Sequence, residues 1–465
     1  MLVDGILKAQ GDGRPLTDRW TGARIGSCPL DSTADVEFAV TAVASRRRTL
    51  PITQRVEVLA RCAEELERRA DEFAARSTAE SGVCRKETQR EVTRACANLR
   101  VAAVEAERLR GETIPVPGQA RLAVTVPEPV GVVAAITPFN RPLNQVVVKV
   151  APAVAAGCAV VLKPSEKTPL TGLAFAELLL AAGFPSEMLA VVTGDPHLVG
   201  PALVGHPQVD MVTFTGSVAA GRAVAAAAAG RKLLLELGGN DPLIVLDDAD
   251  LERAARLAAD GAFATAGQSC RGVKRVIVTE AVADEFTPLL VAAAAGKTWG
   301  DPHDPGTDVG PLVDEAAAAT VEGRVGEAVR AGAVVLLGGT RQGSLVRPTV
   351  LDRVPADASL VVEETFGPVA PVIRVHDADE AVAVANATAY GLQAGVVTRD
   401  SDTFWRVASR LRVGAVNLDE GPHFDSPHIP FGGVKASGYG REGMRYAINE
   451  MSVVKTITVP YGGER

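Results

Sequence analysis

The sequence predicts an α/β fold in which a parallel β-sheet is covered by helices on both faces. From residue 130 onward, short apolar segments alternate with helix-like segments, as in residues 131–136, 143–156 and 159–163. This alternation is typical of buried parallel strands joined by helical crossovers. The chain has 465 residues, of which 47% are hydrophobic and 22% are charged, so it is long enough for two domains.

The other elements follow from hydrophobic periodicity. Residues 31–110 are predicted to be helical, because apolar side chains recur there at helical spacing between charged ones. A second unit of strands and helices begins after Gly239. Further strands are predicted at residues 188–193, 209–214, 243–246, 276–278 and 371–375, and further helices at 170–182, 216–230, 250–266 and 281–295.

Residues 121–128 and 453–459 alternate apolar and polar side chains, as strands exposed on one face do. Strands of this kind pair with other chains unless they are covered. We therefore expect these two segments to contribute to a subunit interface.

Composition excludes several functional classes. The net charge of −8 gives no electrostatic basis for binding nucleic acid. The six cysteines form no C-x-x-C pair and have no neighbouring histidine, which argues against a zinc site and a disulfide scaffold. No apolar run reaches the roughly 18 residues of a membrane helix, and residues 1–10 do not resemble a signal peptide. We expect a cytoplasmic protein that binds no metal, membrane or nucleic acid.

Glu236 and Cys270 are the most informative polar side chains. Glu236 ends an apolar strand, where a lone carboxylate is costly to bury unless it is paired or functional. Cys270 follows small and polar residues at 267–269, which leave room for a substrate to approach. A cysteine attacks carbonyl groups as a thiolate, and a nearby carboxylate can act as general base. Each residue alone is also consistent with an ordinary structural role.

Loops after the predicted strands carry further candidates, because ligands bind parallel sheets at the carboxyl ends of the strands. Asn140 can donate to a developing oxyanion, or it can simply be a turn residue. Gly216 and Ser217 open a helix whose first turn suits a phosphate, although the G-x-G-x-x-G fingerprint is absent. Lys163 and Glu166 can hold ribose hydroxyls or form an exposed ion pair.

Together and in this order, these residues form motifs that resemble the aldehyde dehydrogenase superfamily. The resemblance covers residues 15–459, and the spacing from Glu236 to Cys270 is the one familiar in that family. The motifs are Pro138-Phe139-Asn140, Lys163-Pro164-Ser165-Glu166, Phe214-Thr215-Gly216-Ser217, Glu236-Leu237-Gly238-Gly239, Gly267-Gln268-Ser269-Cys270, Glu363-Glu364-Thr365-Phe366-Gly367-Pro368-Val369, and Pro430-Phe431-Gly432-Gly433 with Lys435, Ser437, Gly438, Gly440, Arg441 and Glu442.

The resemblance implies three structural parts. A Rossmann-type parallel-sheet domain for NAD would comprise residues 1–118 and 130–238. An α/β catalytic domain would comprise residues 239–445. A small β oligomerisation element would comprise residues 119–129 and 446–465, in a homodimer or homotetramer.

The resemblance also implies the chemistry. Cys270 would form a thiohemiacetal with an aldehyde, Asn140 and the backbone N–H of Cys270 would bind the oxyanion, and hydride transfer would leave a thioester. Glu236 would activate the hydrolytic water. Because relatives that transfer the acyl group to coenzyme A commonly lack this glutamate, we expect hydrolysis to a carboxylic acid. Alternatives of other classes are a nicotinamide-independent thiol esterase and a non-enzymatic binding protein.

The expected cofactor is NAD, with NADP possible. A carboxylate at Glu166 would repel a 2′-phosphate, whereas Ser165 and Lys167 would soften that preference. The cofactor contacts that the resemblance and the loop positions suggest are Thr137, Pro138, Phe139, Lys163, Ser165, Glu166, Gly194, Gly216, Ser217, Leu237, Glu364 and Phe366.

The motifs resemble most closely a branch that acts on lactaldehyde and on phosphonate aldehydes. Arg141 and Arg271 follow the oxyanion asparagine and the nucleophile, and guanidinium groups suit phosphonate or carboxylate oxygens. Arg100 is a weaker candidate, and His428 lies in a loop expected to line the substrate entrance. Phosphonate-binding relatives often have histidine in place of Arg141 and arginine in place of Ser269. We predict a small anionic aldehyde such as phosphonoformaldehyde or phosphonoacetaldehyde, with lactaldehyde or a semialdehyde as alternatives.

Overall fold

The computed structural model describes residues 1–7, 13–46 and 50–461. The parts of the predicted domains at residues 8–12, 47–49 and 462–465 lie outside the described residues. The strands are β1 (Leu2–Val3), β2 (Ile6–Leu7), β3 (Arg14–Thr17), β4 (Arg24–Cys28), β5 (Thr113–Ile114), β6 (Arg121–Pro129), β7 (Val132–Ile136), β8 (Ala159–Lys163), β9 (Leu189–Val191), β10 (Met211–Thr215), β11 (Lys232–Glu236), β12 (Pro242–Val245), β13 (Arg275–Thr279), β14 (Val334–Leu337), β15 (Arg341–Gln342), β16 (Leu345–Val346), β17 (Thr349–Asp352), β18 (Val369–Val375), β19 (Gln393–Val397), β20 (Ala415–Leu418), β21 (Gly438–Tyr439) and β22 (Ser452–Pro460). The α-helices are α1 (Thr33–Arg46), α2 (Ile52–Arg68), α3 (Ala70–Ser81), α4 (Arg85–Glu107), α5 (Asn144–Ala156), α6 (Pro169–Ala181), α7 (Pro196–Gly205), α8 (Val218–Ala227), α9 (Leu251–Phe263), α10 (Glu280–Ala295), α11 (Glu315–Arg330), α12 (Ser359–Val362), α13 (Ala378–Asn386), α14 (Ser401–Ala408) and α15 (Met444–Glu450).

The first large sheet has the strand order β2-β1-β9-β8-β7-β10-β11-β21. Its central strands, from β9 to β11, are parallel, and β1 and β21 add antiparallel edges. Strands β7, β8 and β10 are buried along their whole length, because helices cover both faces of the sheet. The predicted parallel α/β domain is confirmed, and its strand ends at Lys163, Ile136, Thr215 and Glu236 lie side by side in that order.

The second large sheet has the order β14-β17-β18-β13-β12-β19-β20. All neighbouring pairs from β17 to β20 are parallel, and only β14 runs antiparallel to its neighbour among these strands. The chain passes from the first sheet to the second between Glu236 and Pro242, and the loop between α9 and β13 carries Cys270. Glu236 and Cys270 therefore lie where the chain connects the two sheets.

The C-terminal part of the predicted catalytic range returns to the first sheet. Strand β21 pairs with β11, with Glu236 opposite Gly438. Helix α15 then buries Met444, Ala447 and Ile448 in the hydrophobic core of the first sheet. The chain thus rejoins the first sheet at β21, before residue 445, which is the predicted end of the catalytic domain. Sequence periodicity does not detect this return, because a two-residue strand has no period of its own.

The two alternating segments pair with each other. Strands β22 and β6 are antiparallel along nine residues, from Ser452 opposite Pro129 to Pro460 opposite Arg121, and β5 flanks β6. Most of β22 is exposed, including Val454 at 72% and Ile457 at 43%. Both predicted strands are therefore present, and they form a small sheet with apolar side chains facing outward.

Candidate active site

Cys270 lies in a loop whose backbone adopts an uncommon conformation. Helix α9 ends before the predicted residue 266, because Thr265 and Ala266 have φ angles of 53° and 54°. Gly267 continues this left-handed turn with φ of 70°, and a Cβ atom there would lie 2.0 Å from the carbonyl oxygen of Gly367. A left-handed non-glycine residue costs about 1–2 kcal/mol, so contacts from other elements must hold the turn.

Asn140 reaches this loop from the first sheet. It follows β7, and its Nδ2 donates a hydrogen bond of 2.8 Å to the carbonyl oxygen of Gln268. The side chain of Gln268 is fixed in turn, because its Oε1 accepts from the backbone N–H of Val313 at 3.0 Å. Asn140 and Cys270 line the same cavity. The amide carries two hydrogens, so Asn140 can hold the loop and still donate to an oxyanion.

Glu236 ends β11 as a buried carboxyl group, and in the described part of the chain neither of its oxygens has a hydrogen-bond partner. Burial, and then the nearby carboxylate of Glu442, raise the pKa of Glu236 well above its usual value. Lys149 opposes this effect, and its Nζ donates to Glu442 Oε1 at 2.6 Å. A carboxyl group with a raised pKa suits general base catalysis near neutral pH.

The Cys270 thiol is half-buried, and the other five cysteines are buried. Desolvation raises the pKa of Cys270 to about 12. The carboxyl groups of Glu364, Asp241 and Glu236 add to this effect, and Arg271 opposes it. In this state the thiol is protonated at neutral pH, so a positive charge arriving beside it would favour the nucleophilic thiolate.

A cavity of about 240 Å³ borders Cys270 on the side predicted for the cofactor. Of the predicted cofactor residues, it is lined by Pro138, Phe139, Gly216, Ser217, Leu237, Glu364 and Phe366. The rings of Phe139 and Phe366 meet edge to face with centroids 6.0 Å apart. Glu364 is fixed beside them, because its Oε1 accepts from the backbone N–H of Gly239 at 3.1 Å. An apolar slot next to a carboxylate fits a nicotinamide ring and its ribose hydroxyls.

The first turn of α8 borders the same cavity. Ser217 caps this helix, because its Oγ accepts from the backbone N–H of Ala220 at 3.2 Å. A Cβ atom on Gly216 would lie 2.4 Å from the ring of Phe214, so only glycine fits between the strand and the helix. The helix N-terminus is suited to a pyrophosphate although the glycine fingerprint is absent.

Lys163, Ser165 and Glu166 follow β8 at the end predicted for the adenosine ribose. Lys163 is 3% exposed, and burial lowers its pKa while Glu166 opposes the effect. Arg14 donates to the carbonyl oxygen of Glu166. A lysine, a carboxylate and a guanidinium group therefore lie together at this strand end.

Thr137 and Gly194 have structural contacts that account for them without a ligand. The backbone N–H of Thr137 donates to the carbonyl oxygen of Lys163 at 3.1 Å. Gly194 has φ of 133°, and a Cβ atom there would lie 2.8 Å from the carbonyl oxygen of Asp31. Neither residue lines the cavity beside Cys270, and their role as cofactor contacts stays a prediction.

A second cavity, of about 50 Å³, also reaches Cys270 and contains Arg141, Arg271 and Asp425. Arg271 Nη1 lies 3.0 Å from Asp425 Oδ2, and Arg94 Nε lies 3.5 Å from the same oxygen. Burial opposes ionisation of Asp425, but the guanidinium groups of Arg271, Arg94 and Arg141 lower its pKa. Three cations thus surround one carboxylate next to the nucleophile.

Arg94 contacts Asp425 and lines a neighbouring cavity with Arg141, Ser269 and Arg271; the sequence interpretation did not include it and proposed Arg100 instead. The side chain of Arg100 points to the surface, where its Nη2 lies 2.5 Å from Glu67 Oε2 and both side chains are at least half exposed. Arg94 shares a face of α4 with Asn98, which lines the cavity. The helical spacing of these two residues is the signal that could have identified Arg94.

The predicted entrance loop borders the cavity through Asp425, Ser426 and Pro427. His428 itself is exposed and is not part of this lining, and its backbone N–H donates to Ser426 Oγ at 3.4 Å. The loop therefore borders the cavity, and the role of His428 in substrate binding stays a prediction.

Within residues 1–7, 13–46 and 50–461, no group of three or more His, Cys, Asp or Glu side chains is arranged to hold a metal ion. In the same ranges, every helix is too short or too polar to cross a bilayer.

The fold places Cys270 between two cavities, one of which has the lining expected for a dinucleotide. The chain belongs to the Aldehyde dehydrogenase family, which it matches over residues 7–457. It is 39% identical to a 3-sulfolactaldehyde dehydrogenase from Priestia aryabhattai, over 99% of this chain and 97% of that protein. It is 38% identical to a lactaldehyde dehydrogenase from Methanococcus maripaludis, over 89% of each. The NADP complex of an NADP-dependent glyceraldehyde-3-phosphate dehydrogenase from Bacillus halodurans has a TM-score of 0.97 and 36% identity, over 99% of both chains.

Proposed function

We propose that this enzyme oxidises a small anionic aldehyde to a carboxylic acid, with NAD or NADP as the electron acceptor. The arginine cluster carries the proposal. Arg94, Arg141 and Arg271 surround Asp425, so positive charge remains in excess next to Cys270. Nη1 of Arg94 is buried and lacks a hydrogen-bond partner in the described structure, whereas Nη1 of Arg271 lies 3.0 Å from Asp425 Oδ2. Unsatisfied buried donors are costly, and an oxyanion on the substrate would satisfy them.

The anion is best matched by a tetrahedral oxyanion on a short chain. Sulfonate and phosphonate present three oxygens to a guanidinium cluster, and the cavity beside Cys270 is small, at about 50 Å³. One relative is named for 3-sulfolactaldehyde, which carries a sulfonate, and another for the uncharged lactaldehyde. We propose sulfonate aldehydes together with phosphonoformaldehyde and phosphonoacetaldehyde as substrates, and lactaldehyde or a semialdehyde as alternatives.

The first half of the reaction takes place at Cys270. The thiol gives its proton to water, Sγ bonds to the carbonyl carbon, and negative charge develops on the carbonyl oxygen beside Nδ2 of Asn140. A bound nicotinamide would supply an acceptor for the hydride that leaves this carbon and a positive charge that favours the thiolate. The resulting thioester remains on Cys270.

The second half is hydrolysis. Glu236 takes a proton from water as the water oxygen attacks the thioester carbon. The C–S bond breaks, Sγ is reprotonated, and the product leaves as its carboxylate with one proton released. The buried pair of Lys149 and Glu442 lies beside Glu236 and provides groups that can carry the proton away. We therefore propose a hydrolytic enzyme rather than one that transfers the acyl group to coenzyme A.

We propose a preference for NAD over NADP from the residues at the end of β8, which are Lys163 and Glu166. The carboxylate of Glu166 would accept from ribose hydroxyls and repel a 2′-phosphate, which favours NAD. Arg14 and Lys163 reduce this repulsion, so NADP remains usable.

A substrate panel tests the proposal. The protein is mixed with NAD or NADP and, separately, with 3-sulfolactaldehyde, phosphonoacetaldehyde, phosphonoformaldehyde, lactaldehyde, succinate semialdehyde and propanal, and reduced cofactor is followed by absorbance. We expect the highest kcat/KM with a sulfonate or phosphonate. Equal kcat/KM for propanal would refute the anion assignment. Ester hydrolysis that is faster than every aldehyde oxidation would favour the thiol esterase.

We also propose that the enzyme is a homodimer or homotetramer that associates through the sheet of β5, β6 and β22. This sheet exposes Leu122, Val454 and Ile457, and β22 has an unpaired edge in the described chain. Exposed apolar strands of this kind are normally covered by a partner. The six free cysteines are consistent with the cytoplasmic location expected from the sequence.

A further inference from the structure

Lys274 is a buried lysine between the nucleophile loop and the residues that line the cofactor cavity. It is 3% exposed, and its Nζ donates to the carbonyl oxygen of Gly267 in the left-handed turn. The same Nζ lies 5.2 Å from the centroid of the Phe366 ring. An ammonium group buried to this degree is costly unless it has a specific role.

We propose that Lys274 is a positioning residue for Cys270: its ammonium group holds the left-handed turn that precedes the nucleophile and supplies a fixed positive charge that favours the thiolate. This inference rests on the proposed function only in taking Cys270 as the nucleophile.

The positioning part follows from the backbone. The turn contains two non-glycine residues, Thr265 and Ala266, with left-handed backbone angles. Contacts from other residues must hold the backbone in this unfavourable conformation. Lys274 holds the carbonyl oxygen of Gly267, and Asn140 holds the next carbonyl oxygen, that of Gln268. Two consecutive peptide groups are thereby fixed just before Ser269 and the nucleophile.

The electrostatic part follows from the charges around the thiol. Cys270 faces the carboxyl groups of Glu364, Asp241 and Glu236 and the guanidinium group of Arg271. The three carboxyl groups oppose ionisation of the thiol when they are charged. Lys274 offsets part of this negative field.

Lys274 itself faces Glu364, Asp241 and Cys270. Burial lowers its pKa, and these three groups oppose that effect. The neighbouring Arg275 is directed elsewhere, because its guanidinium group donates to the carbonyl oxygens of three other residues. Lys274 is therefore placed to offset the carboxyl groups of both Glu364 and Asp241.

Three substitutions separate charge from hydrogen bonding. Lys274→Met removes both, Lys274→Gln keeps an N–H donor without the charge, and Lys274→Arg keeps both. Lys232→Met is the matched control, because Nζ of Lys232 also donates to backbone carbonyl oxygens, those of Glu450 and Ser452 at 2.6 and 3.0 Å. Lys232 lies at the start of β11, at the opposite end of the strand from Glu236. The loss of the Lys232 ammonium group therefore tests a purely structural role.

The measurement is the rate at which iodoacetamide alkylates Cys270 as a function of pH, in the cofactor-free protein, with the labelled peptide identified by mass spectrometry. We expect Lys274→Met and Lys274→Gln to react about tenfold more slowly at neutral pH, equivalent to a rise of about one unit in the thiol pKa. Lys274→Arg and Lys232→Met should follow the wild-type curve.

Wild-type rates in both uncharged variants would overturn the proposal, and so would an equal shift in Lys232→Met. If Lys274→Met does not fold, Lys274→Gln decides the question. The alkylation needs no aldehyde, so an error in the proposed substrate does not change the result. A shifted curve in a protein that oxidises no aldehyde of the panel would refute the proposed function and leave the role of Lys274 intact.

Discussion

Replacing Arg94 with methionine should separate recognition of the anion from the chemistry at Cys270. Nη1 of Arg94 is buried without a partner in the described chain, and Arg94 lines a neighbouring cavity with Arg141 and Arg271, so we expect it to donate to a substrate oxyanion. A hydrogen bond to a charged group contributes about 1.5–3 kcal/mol, which corresponds to about 10- to 150-fold in kcat/KM. Burial and the neighbouring Arg271 and Arg141 lower the pKa of Arg94 to about 10, so removing it also relieves repulsion. We therefore expect a loss near the lower end, about tenfold.

The assay compares kcat/KM for 3-sulfolactaldehyde and for propanal, which has no charge to recognise. Arg94→Met should lower only the first value and leave the second within about twofold of wild type. Arg100→Met is the control, because Arg100 lies on the same helix and forms an exposed ion pair with Glu67, and such pairs contribute about 0–1 kcal/mol. An equal loss on both aldehydes, or the same loss in Arg100→Met, would refute the assignment of the anion site.

Five further outcomes follow from the structure. Cys270→Ala should abolish aldehyde oxidation and retain cofactor binding, as measured by fluorescence titration. Glu236→Gln should release about one equivalent of NADH per subunit and then stop in stopped-flow traces, because the thioester is no longer hydrolysed. In the wild type, the hydrolytic rate should rise with pH through the raised pKa of Glu236, since only the ionised carboxylate is a base. Glu166→Gln should raise the ratio of NADP-linked to NAD-linked activity about tenfold, as steady-state kinetics would show. Val454→Asp should shift the protein to a smaller species in size-exclusion chromatography without loss of folded structure.

The sequence predicted the central strands well, because a buried parallel strand is a short run of apolar residues that polar residues or glycine interrupt at both ends. Residues 159–163 match β8, and residues 209–214 differ from β10 by no more than two residues at either end. Helix ends were less predictable. The apolar spacing continues through residue 266, so the left-handed turn that ends α9 has no signal in periodicity.

The site shows a similar division. Residues in separated motifs, such as Asn140 and Cys270, could be matched as a set, and the structure places both on one cavity. Arg94 and Lys274 lie outside every quoted motif, and their importance comes from neighbours that are distant in sequence. Arg94 meets Asp425, and Lys274 faces Glu364. A single chain does not reveal such pairs until it is folded.

The glycines of the Glu236 motif show why this motif accompanies the cysteine. A Cβ atom on Gly239 would lie 2.1 Å from the carbonyl oxygen of Cys270, and one on Gly238 would lie 2.3 Å from Oε2 of Glu364. The absence of side chains at these two glycines therefore leaves space for the loop of Cys270 and for the carboxylate of Glu364, where the two sheets adjoin. Any side chain there would push the thiol away from Asn140, which approaches from the other sheet. The close contact between the Glu236 motif and the loop of Cys270 is thus a packing requirement, and the proposed catalysis depends on the same contact.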